Sequence, residues 1–318
     1  MRNKILNILK NTESYVSGEE MSHTLNISRA AVWKHIKRLK DDGYDILSVT
    51  NKGYKLKSIP DILSSDTIAS GLNTEFTARN IKCMSVIDST NEEAKRCAAM
   101  PDGSLFIAEV QSAGKGRLGR SWESPNGAGI WMSLLLKPDI PPRDISQITL
   151  IAGMAVCRVL GNGAGIKWPN DIVIGSRKVC GILTEMSAEI DRVNYVVCGI
   201  GINVNTAEFP AELQDKATSL FIETGKTYNR SELVFAIMNE FEPLYKLFKK
   251  EGFSPLLEEY RNSCITIGRE IRVIYRREAL IGKAVDIAED GGLIIETENG
   301  RVNVTSGDVS VRGIYGYI

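Results

Sequence analysis

A glycine-rich run in the first half of the chain carries three positive charges that could act on a phosphate group. The run reads Gly114-Lys115-Gly116-Arg117-Leu118-Gly119-Arg120-Ser121 and follows an apolar, strand-like segment at 105–110. Glycines permit a backbone to approach a ligand closely, and Lys and Arg donate charge-assisted hydrogen bonds to phosphate oxygens. We therefore predict a loop that closes over a phosphate-bearing ligand and keeps water from it. A solvated basic turn is the alternative.

The spacing of this run also matches G-x-G-x-x-G and, except that Arg120 replaces the required lysine, the P-loop motif. Both motifs need a helix directly after the loop, whereas Pro125, Gly127 and Gly129 lead here into a strand-like segment at 130–136. A glycine-rich loop between two strands is therefore neither a dinucleotide-binding turn nor a P-loop.

A second candidate for ligand binding is the run Ser89-Thr90-Asn91-Glu92-Glu93, which opens a predicted helix reaching Ala99 after a predicted strand at 81–87. Backbone N–H groups and small hydroxyls at a helix N-terminus can bind the carbonyl or carboxylate of a ligand. Thr90 and Glu93 also have capping-box spacing, so a purely structural role for this run stays open.

Further candidates follow in a series of strands joined by short turns. Lys167-Trp168-Pro169-Asn170-Asp171 spans a turn between two of them, and Gly175-Ser176-Arg177-Lys178 leads into the next strand, at 179–185; another follows at 195–204. Short turns between successive strands predict an antiparallel sheet and argue against a doubly wound nucleotide-binding fold. Lys178 lies beside a predicted hairpin, and the pattern alone favours a surface position for it.

Histidine and cysteine usage narrows the chemistry open to residues 61–318. Both histidines, His23 and His35, lie in the first 60 residues, so the rest cannot use a histidine base, a Ser-His-Asp triad or a histidine-ligated metal. The six cysteines are far apart, form no C-x-x-C pair and indicate reduced core residues. Chemistry there must rest on Lys, Arg, carboxylates, backbone N–H groups or a bound ion.

The chain has 318 residues with 39 basic and 39 acidic side chains, but the charges are distributed unevenly. The first 60 residues contain 11 Lys and Arg against six Asp and Glu, a net charge of +5, and the remainder contains 28 against 33, a net charge of −5. A positive charge confined to one segment is typical of a nucleic-acid interface.

The same 60 residues have the pattern of a winged helix-turn-helix. Apolar spacing predicts helices at 3–10 and 18–25, a turn, and a basic helix at 29–40 that Ser28 caps and Gly43 ends, followed by a β-hairpin at 46–57. The third helix would enter the major groove of DNA, while a protein-docking module with a solvated basic face is the alternative. The residues expected to contact DNA are Ser28, Arg29, Ala30, Trp33, Lys34, Lys37 and Arg38.

The remaining pattern predicts a mixed α/β (α+β) chain of three domains: 1–60, 61–265 and 266–318. Helices are expected at 64–71, 145–160 and 231–250, and a loop at 215–225. Residues 266–318 alternate in short segments with turns at Asp290-Gly291-Gly292 and Asn299-Gly300, which predicts a small β domain. No signal-peptide pattern and no apolar run near the ~18 residues of a membrane span are present, so we expect a cytoplasmic protein that does not associate with membranes.

In their order along the chain, these motifs resemble those of biotin protein ligases. The motifs are Ser89-Thr90-Asn91, Gln111-Ser112-Ala113-Gly114-Lys115-Gly116-Arg117, Trp122, Lys167-Trp168-Pro169-Asn170-Asp171, Lys178-Val179-Cys180-Gly181-Ile182-Leu183-Thr184-Glu185 and Gly199-Ile200-Gly201-Ile202-Asn203-Val204-Asn205. With a winged helix in front, the chain resembles the bifunctional type, a biotin ligase and biotin operon repressor in one. Lys115 departs from the arginine of many family members, which keeps the charge but loses a bidentate donor.

The resemblance implies a central antiparallel sheet with helices, related to class II aminoacyl-tRNA synthetases, and a C-terminal SH3-like β-barrel. It also implies an ATP-dependent, AMP-forming ligase. With Mg²⁺, the carboxylate of biotin attacks the α-phosphate of ATP to give biotinyl-5′-AMP and pyrophosphate. A lysine of the biotin carboxyl carrier protein then takes the biotinyl group. Cations are needed in the first step because two negatively charged groups must meet.

Roles for individual residues are also implied by the resemblance. Ser89, Thr90, Asn91 and Gln111 would bind biotin, while Lys115, Gly116 and Arg117 would cover the adenylate and adjoin biotin. Lys178 would lie against the biotin carboxylate and the α-phosphate, so Lys178 and Arg117 are the expected catalytic residues. Arg120 and Trp122 would pack near the adenylate, Asn170 and Asp171 would be ligand contacts or anchors of the turn, and the loop at 215–225 would order around adenine.

Three hypotheses about function stay open at this point. In the first, biotinyl-5′-AMP is both intermediate and corepressor, and the adenylate-bound protein forms a homodimer that binds a palindromic DNA operator. In the second, the protein is a ligand-sensing repressor without catalytic activity. In the third, it is a lipoate-type acyl-protein ligase with the same fold.

Overall fold

The structure of the chain is a computed structural model, and it describes residues 1–41, 44–58, 61–161, 163–275, 278–305 and 310–313. The predicted helix end at Gly43 lies outside these residues. The chain divides into two compact units, unit 1 at 1–62 and unit 2 at 63–318. Because this division keeps residues 63–318 together, the organisation into three domains stays a prediction.

Unit 1 folds as three helices followed by a hairpin: α1 (Arg2–Lys10), α2 (Gly18–Leu25), α3 (Arg29–Asp41), β1 (Asp45–Val49) and β2 (Gly53–Ser58). The hydroxyls of Ser17 and Ser28 cap α2 and α3 by accepting hydrogen bonds from backbone N–H groups three residues later. Val32, Ile36 and Leu39 bury one face of α3 and leave the other to solvent. The predicted helix-turn-helix and wing are confirmed.

Unit 2 is built on a seven-stranded sheet with helices. The strands of this sheet are β3 (Ile81–Ile87), β4 (Ser104–Gln111), β5 (Gly129–Leu136), β6 (Ala164–Lys167), β7 (Asp171–Ile174), β8 (Arg177–Ala188) and β9 (Val193–Asn203). The α-helices are α4 (Ser65–Ser70), α5 (Thr90–Arg96), α6 (Ser146–Leu160), α7 (Leu220–Thr224), α8 (Arg230–Glu251) and α9 (Leu257–Ser263). Single 3₁₀ turns lie at Arg117–Gly119, Pro142–Asp144 and Ser254–Leu256.

The strand order in this sheet is β3-β4-β5-β9-β8-β7-β6. All neighbours are antiparallel, as predicted, except β3 and β4, which are parallel because α5 crosses over between them. α6 packs on the sheet and against α8, and its residues from Gln147 to Cys157 are all buried. This explains why α6 is apolar on every side.

The chain ends in a five-stranded antiparallel sheet of β10 (Glu270–Tyr275), β11 (Glu278–Ile287), β12 (Leu293–Thr297), β13 (Gly300–Val304) and β14 (Ser310–Gly313). Its order is β13-β12-β11-β10-β14. Both predicted turns are present, and Gly291 and Gly300 have φ values of 78° and 109°, which favour glycine. The indole N–H of Trp168 donates to the carbonyl of Gly291 over 3.0 Å and so joins this sheet to the β6–β7 turn.

Two predictions of element bounds are wrong. The segment 215–225 is not entirely a loop, because α7 forms at Leu220, with the Ser219 hydroxyl accepting from the Ile222 backbone N–H at 3.1 Å. The helix predicted to reach Ala99 ends at Arg96. In the described part of the chain, no helix is both long and apolar enough to cross a lipid bilayer.

Candidate functional site

One cavity lies where α5, the glycine-rich loop and strands β5, β8 and β9 meet, with about 450 Å³ of empty space that is partly open to solvent. The sequence motifs that could bind a ligand come together at this place. Ten of the predicted site residues line it: Ser89, Thr90, Asn91, Gln111, Lys115, Gly116, Arg117, Trp122, Asn170 and Lys178. These residues come from five separate motifs, and the order of the strands brings them together.

The first wall of the cavity is the start of α5, where Thr90 is tied to the end of β4. The backbone N–H and the hydroxyl of Thr90 donate to Gln111 Oε1 at 2.8 and 3.0 Å, and Gln111 Nε2 donates to Ser124 Oγ at 2.9 Å. The capping box that the spacing left open does not form, because the Thr90 hydroxyl bonds Gln111 and Glu93 pairs with Lys82 and Arg96. The bonds to Gln111 leave this wall polar and ordered.

Asn91 is a second anchored polar side chain of this wall and is only 5% exposed. Its Oδ1 accepts from Ser133 Oγ at 2.5 Å, and its Nδ2 donates to Glu185 Oε2 at 2.7 Å. It also lies directly on Gly199, where an added Cβ would meet Asn91 Oδ1 at 2.2 Å. No side chain larger than that of glycine can occupy position 199 while Asn91 keeps this position.

Glycines of β8 and β9 form the floor of the cavity. Gly181 and Gly201 are direct partners across the two strands, and the Trp122 indole lies on both, 2.9 and 2.7 Å from where a Cβ would stand. Trp122 also meets Trp131 edge to face, with ring centroids 6.3 Å apart. The indole N–H of Trp122 is buried, and the described residues supply no hydrogen-bond partner for it. The floor therefore combines an aromatic surface with an unsatisfied donor.

The glycine-rich loop folds back on itself rather than continuing into an α-helix. The backbone N–H of Gly116 donates to the carbonyl of Arg120 at 2.7 Å, and that of Trp122 donates to the carbonyl of Gly114 at 2.8 Å. A short 3₁₀ turn follows Gly116, with Leu118 in the left-handed region at φ 56°. This geometry confirms that the loop is neither a dinucleotide-binding turn nor a P-loop.

The three cations of the glycine-rich loop lie in different surroundings. Arg117 lines the cavity and donates to Asn170 Oδ1 at 2.8 Å. Lys115 also lines it and pairs with Glu92 over 2.6 Å. Arg120 is exposed and is not among the residues lining the cavity.

Lys178 lies at the cavity, although the pattern alone favours a surface position. Its side chain is 22% exposed and its Nζ is 2.6 Å from Asp171 Oδ1 and 5.0 Å from the centroid of the Trp122 ring. Asp171 thus acts on the cavity through Lys178 rather than as part of its lining. The backbone of Lys178 also pairs with the segment after β9, donating to Lys216 and accepting from Thr218, both at 2.8 Å.

The remaining reactive groups are the cysteines and the side chains that could bind a metal ion. Within the residues that the structure describes, no group of three or more His, Cys, Asp and Glu side chains could hold a metal ion. The six cysteines are unpaired, and burial raises the pKa of Cys83 to about 11 and of Cys198 to about 12. The thiols of Cys83 and Cys198 therefore stay neutral near pH 7.

A second candidate site is the exposed face of α3 in unit 1. The seven residues expected to contact DNA, from Ser28 to Arg38, are all exposed. Trp33 lies on this face with 57% of its surface exposed to solvent, and Lys37 Nζ lies 5.6 Å from the centroid of the Trp33 ring. Basic and aromatic side chains on one exposed helix face suit contact with phosphates and base edges.

Comparisons with known proteins identify the family of each part of the chain. Residues 83–203 match the model of the biotin/lipoate A/B protein ligase family, residues 1–55 match that of an HTH domain, and residues 266–312 match that of the biotin protein ligase C-terminal domain. The chain is 41% identical over 305 residues to the bifunctional ligase/repressor BirA of Bacillus subtilis (strain 168), covering 93% of this chain and 94% of that protein. The chain belongs to the bifunctional biotin ligase/repressor family.

The family joins biotin ligation and repression in one chain, and the parts for both are present here. The bifunctional ligase/repressor BirA of Escherichia coli (strain K12) is 30% identical over 314 residues, which cover 97% of this chain and 96% of that protein. Among solved structures, the biotin protein ligase from Aquifex aeolicus in complex with biotin and ATP is 32% identical, with a TM-score of 0.67 over 74% of this chain and 99% of that one.

Several residues of the ligase site have no role in the sequence-based prediction. Ser133 and Trp131 lie in no motif, although both reach the site from β5. Gly199, Gly201 and Glu185 lie in motifs, but their contacts with Trp122 and Asn91 depend on strand pairing. The alternation of glycine and isoleucine at 199–202 was the available signal, because it gives a strand one face without side chains and one apolar face.

Proposed function

We propose that the chain activates biotin with ATP to form biotinyl-5′-AMP and transfers the biotinyl group to a lysine of a biotin carboxyl carrier protein. The observation that carries this proposal is the cavity in which ten residues of five motifs meet, three of them the cations Lys115, Arg117 and Lys178. A polar wall, an aromatic floor and cations along one side suit a ligand with polar, apolar and phosphate parts.

In the first step, a carboxylate oxygen of biotin attacks the α-phosphorus of ATP, and pyrophosphate leaves. Both reacting groups are negative, so the ammonium of Lys178 and the guanidinium of Arg117 reduce their repulsion and stabilise the charge that develops. The ion pair with Asp171 holds Lys178 over the Trp122 ring. Lys178 therefore meets the reactants in a fixed position, which lowers the cost of orienting it.

The two ends of the ligand would bind to different parts of the cavity. Ser89, Thr90 and Asn91, which are buried, and Gln111, which is partly buried, supply the hydroxyl and amide groups that a ureido ring needs. Lys115, Gly116 and Arg117 then cover the adenylate, and Trp122 and Asn170 line the cavity beside it. Asp171 lies behind Lys178, to which it is paired, and Arg120 follows on the loop with an exposed side chain.

Mg²⁺ in this proposal enters with ATP. The described residues hold no ready-made group of three metal-binding side chains, and Mg²⁺ is commonly bound by substrate phosphates with one or two carboxylates. The ion would neutralise charge on the phosphates.

In the second step, the amine of the carrier lysine attacks the acyl carbon of biotinyl-5′-AMP, and AMP leaves. Both histidines of the chain lie in unit 1, so no histidine of unit 2 accepts the proton that the amine loses. We propose that the proton passes to water or to the departing phosphate. The enzyme then contributes by orientation and by stabilising AMP as a leaving group.

Biotinyl-5′-AMP would also act as corepressor when the carrier is scarce. Adenylate bound in unit 2 favours a homodimer, and two copies of α3 then contact the half-sites of a palindromic operator. The exposed basic face of α3 supports this part of the proposal. ATP, carrier and operator DNA imply a cytoplasmic location.

Incubation with labelled biotin, ATP, Mg²⁺ and a carrier domain tests the enzyme activity. We expect label on the carrier lysine that requires ATP, and a carrier in which that lysine is replaced is the control. If biotin and ATP bind but no label is transferred, the chain is a ligand-sensing repressor instead. Labelled lipoate is tested in parallel because the matching family model covers both ligase types, and transfer of lipoate alone would contradict biotin as the substrate.

A further inference from the structure

The glycine-rich loop is tied to α5 by a charge on a residue that no part of the reaction has used. Lys115 Nζ of the loop lies 2.6 Å from Glu92 Oε1, and Lys95 Nζ lies 2.9 Å from the same oxygen. One carboxylate oxygen therefore accepts from two ammonium groups, one on the loop and one on the helix. The hydrogen bond from Lys115 is the main cause that lowers the pKa of Glu92, so the carboxylate is charged near pH 7.

The contact continues from α5 to the wall of the cavity. Lys95 Nζ lies 2.7 Å from Glu185 Oε1 of β8, and the other oxygen of Glu185 accepts from Asn91 Nδ2 at 2.7 Å. The series Lys115, Glu92, Lys95 and Glu185 alternates cation and anion, and Glu185 in turn accepts from the neutral amide of Asn91, which lies on the floor of the cavity. It joins the loop to the wall without passing through the ligand space.

The next residue along α5 has a different set of partners. Glu93 pairs with Lys82 of β3 and with Arg96, 2.8 Å from its Nε. Of these two adjacent acids in the first turn of α5, Glu92 thus contacts the loop, whereas Glu93 contacts β3 and a later residue of the helix. Since both have the same charge and nearly the same position in α5, Glu93 is a matched control for Glu92.

We propose that Glu92 is a positioning residue that holds the glycine-rich loop over the cavity through Lys115. This inference rests on the proposed function in one respect, namely that the loop covers biotinyl-5′-AMP. The hold is a weak one, since the side chains of Lys115 and Glu92 are 49% and 29% exposed, and solvent and salt screen such pairs. A loop held in this way opens often enough for a carrier lysine to enter.

Hydrogen–deuterium exchange of the ligand-free protein tests the hold directly. The amides of Gly116 and Trp122 are bonded within the loop, so their exchange reports its opening. We expect Glu92→Gln to speed exchange of the loop two- to five-fold, which corresponds to about 0.4–1 kcal/mol. Glu93→Gln should leave loop exchange at the wild-type rate.

Salt separates a charge-based hold from a general loss of structure. We expect 0.5 M NaCl to speed loop exchange in the wild-type protein. In Glu92→Gln, which has already lost the pair, the same salt should change the rate of loop exchange little. Equal loop exchange in Glu92→Gln and the wild type would overturn the proposal. So would equal acceleration in Glu92→Gln and Glu93→Gln, or a wild-type loop that is insensitive to salt.

The release rate of biotinyl-5′-AMP connects the hold to the reaction. With adenylate formed from labelled biotin, ATP and Mg²⁺ and then chased with unlabelled adenylate, we expect Glu92→Gln to shorten its half-life two- to five-fold without slowing its formation. An unchanged half-life would contradict a role in the reaction. If the wild-type protein forms no adenylate, the proposed function fails, and the exchange experiment still decides whether Glu92 holds the loop.

Discussion

Replacing Gly199 by alanine tests whether the contact between β9 and Asn91 positions the polar wall of the site. An alanine Cβ would lie 2.2 Å from Asn91 Oδ1, 2.9 Å from its Cγ and 3.0 Å from its Nδ2. That is about 1 Å closer than van der Waals contact allows. β9 is a central strand of the sheet, so the Asn91 side chain must move rather than the backbone.

The cost follows from the bonds that Asn91 makes. A shift of that size breaks the hydrogen bond from Ser133 and the one to Glu185, in a side chain that is 5% exposed. A hydrogen bond contributes about 0.5–1.5 kcal/mol, and one to a charged group about 1.5–3 kcal/mol. We therefore expect the free energy of unfolding to fall by about 2–4 kcal/mol, and the Kd for biotin to rise at least tenfold because Asn91 no longer faces the ligand.

Urea unfolding and calorimetric titration with biotin measure the two effects. Gly153→Ala is the matched control, because its Cβ would find only ordinary contacts of 3.6 Å and more inside α6. This control should bind biotin as the wild type does and gain up to about 1 kcal/mol of stability from helix propensity.

A double variant checks the cause. The shorter side chain in Asn91→Ser removes the clash, so adding Gly199→Ala to it should cost little further stability. If Gly199→Ala lowers the free energy of unfolding equally in both backgrounds, or leaves the Kd for biotin within twofold of the wild-type value, Gly199 does not act through Asn91.

Further predictions concern the reaction, the core and the DNA-binding face. Lys178→Ala should slow formation of biotinyl-5′-AMP about 10²–10³-fold, as for loss of one preorganised donor, while operator binding with added adenylate persists; unchanged pyrophosphate release would exclude its catalytic role. Arg230 is 1% exposed and pairs with Glu109 at 2.7 Å; Arg230→Met should lower the free energy of unfolding in urea by about 3–5 kcal/mol, because the mostly buried carboxylate of Glu109 loses its cation, and a loss below 1 kcal/mol would contradict this. Burial raises the pKa of Glu242, but backbone N–H donors at 75–77 and Lys246 outweigh it and lower the pKa to about 2. Ionised Glu242 therefore stabilises the fold above about pH 5 and loses this effect as the pH falls towards 2, so the stability difference between the wild type and Glu242→Gln, about 3 kcal/mol at pH 7, should shrink between pH 5 and 3; a constant difference would refute the assignment. Arg29→Ala should weaken operator binding and leave carrier labelling unchanged, measured by footprinting and by label transfer on one preparation.

Local patterns predict the elements of this fold well, because caps, turns and apolar spacing act over a few residues. Ser28 and the Asn299-Gly300 turn are found where the pattern places them. The parallel pairing of β3 with β4 and the helix at Leu220 were missed, because crossover and burial depend on the rest of the sheet. Element type was therefore more predictable than strand neighbours.

The site was predictable only in its motifs. The sequence around Thr90 does not distinguish a hydroxyl that caps a helix from one that bonds a distant side chain. In the structure, Thr90 bonds Gln111, 21 residues away. Ser133 and Glu185 reach Asn91 from strands that are 42 and 94 residues distant. Only the order β5-β9-β8 brings those side chains to α5, and no short spacing encodes that order.

The two requirements on the glycine-rich loop set limits on how strongly it can be held. Water must be kept from a reactive mixed anhydride, which favours closure, yet the carrier lysine must reach the same acyl carbon. Breaking a buried ion pair such as Arg230 with Glu109 costs about 3–5 kcal/mol. A loop held by such a pair would be open in only about one molecule in 10²–10⁴. The half-exposed pair of Lys115 and Glu92 is weaker by most of that amount. The loop can therefore stay closed for most of the time and still open for transfer.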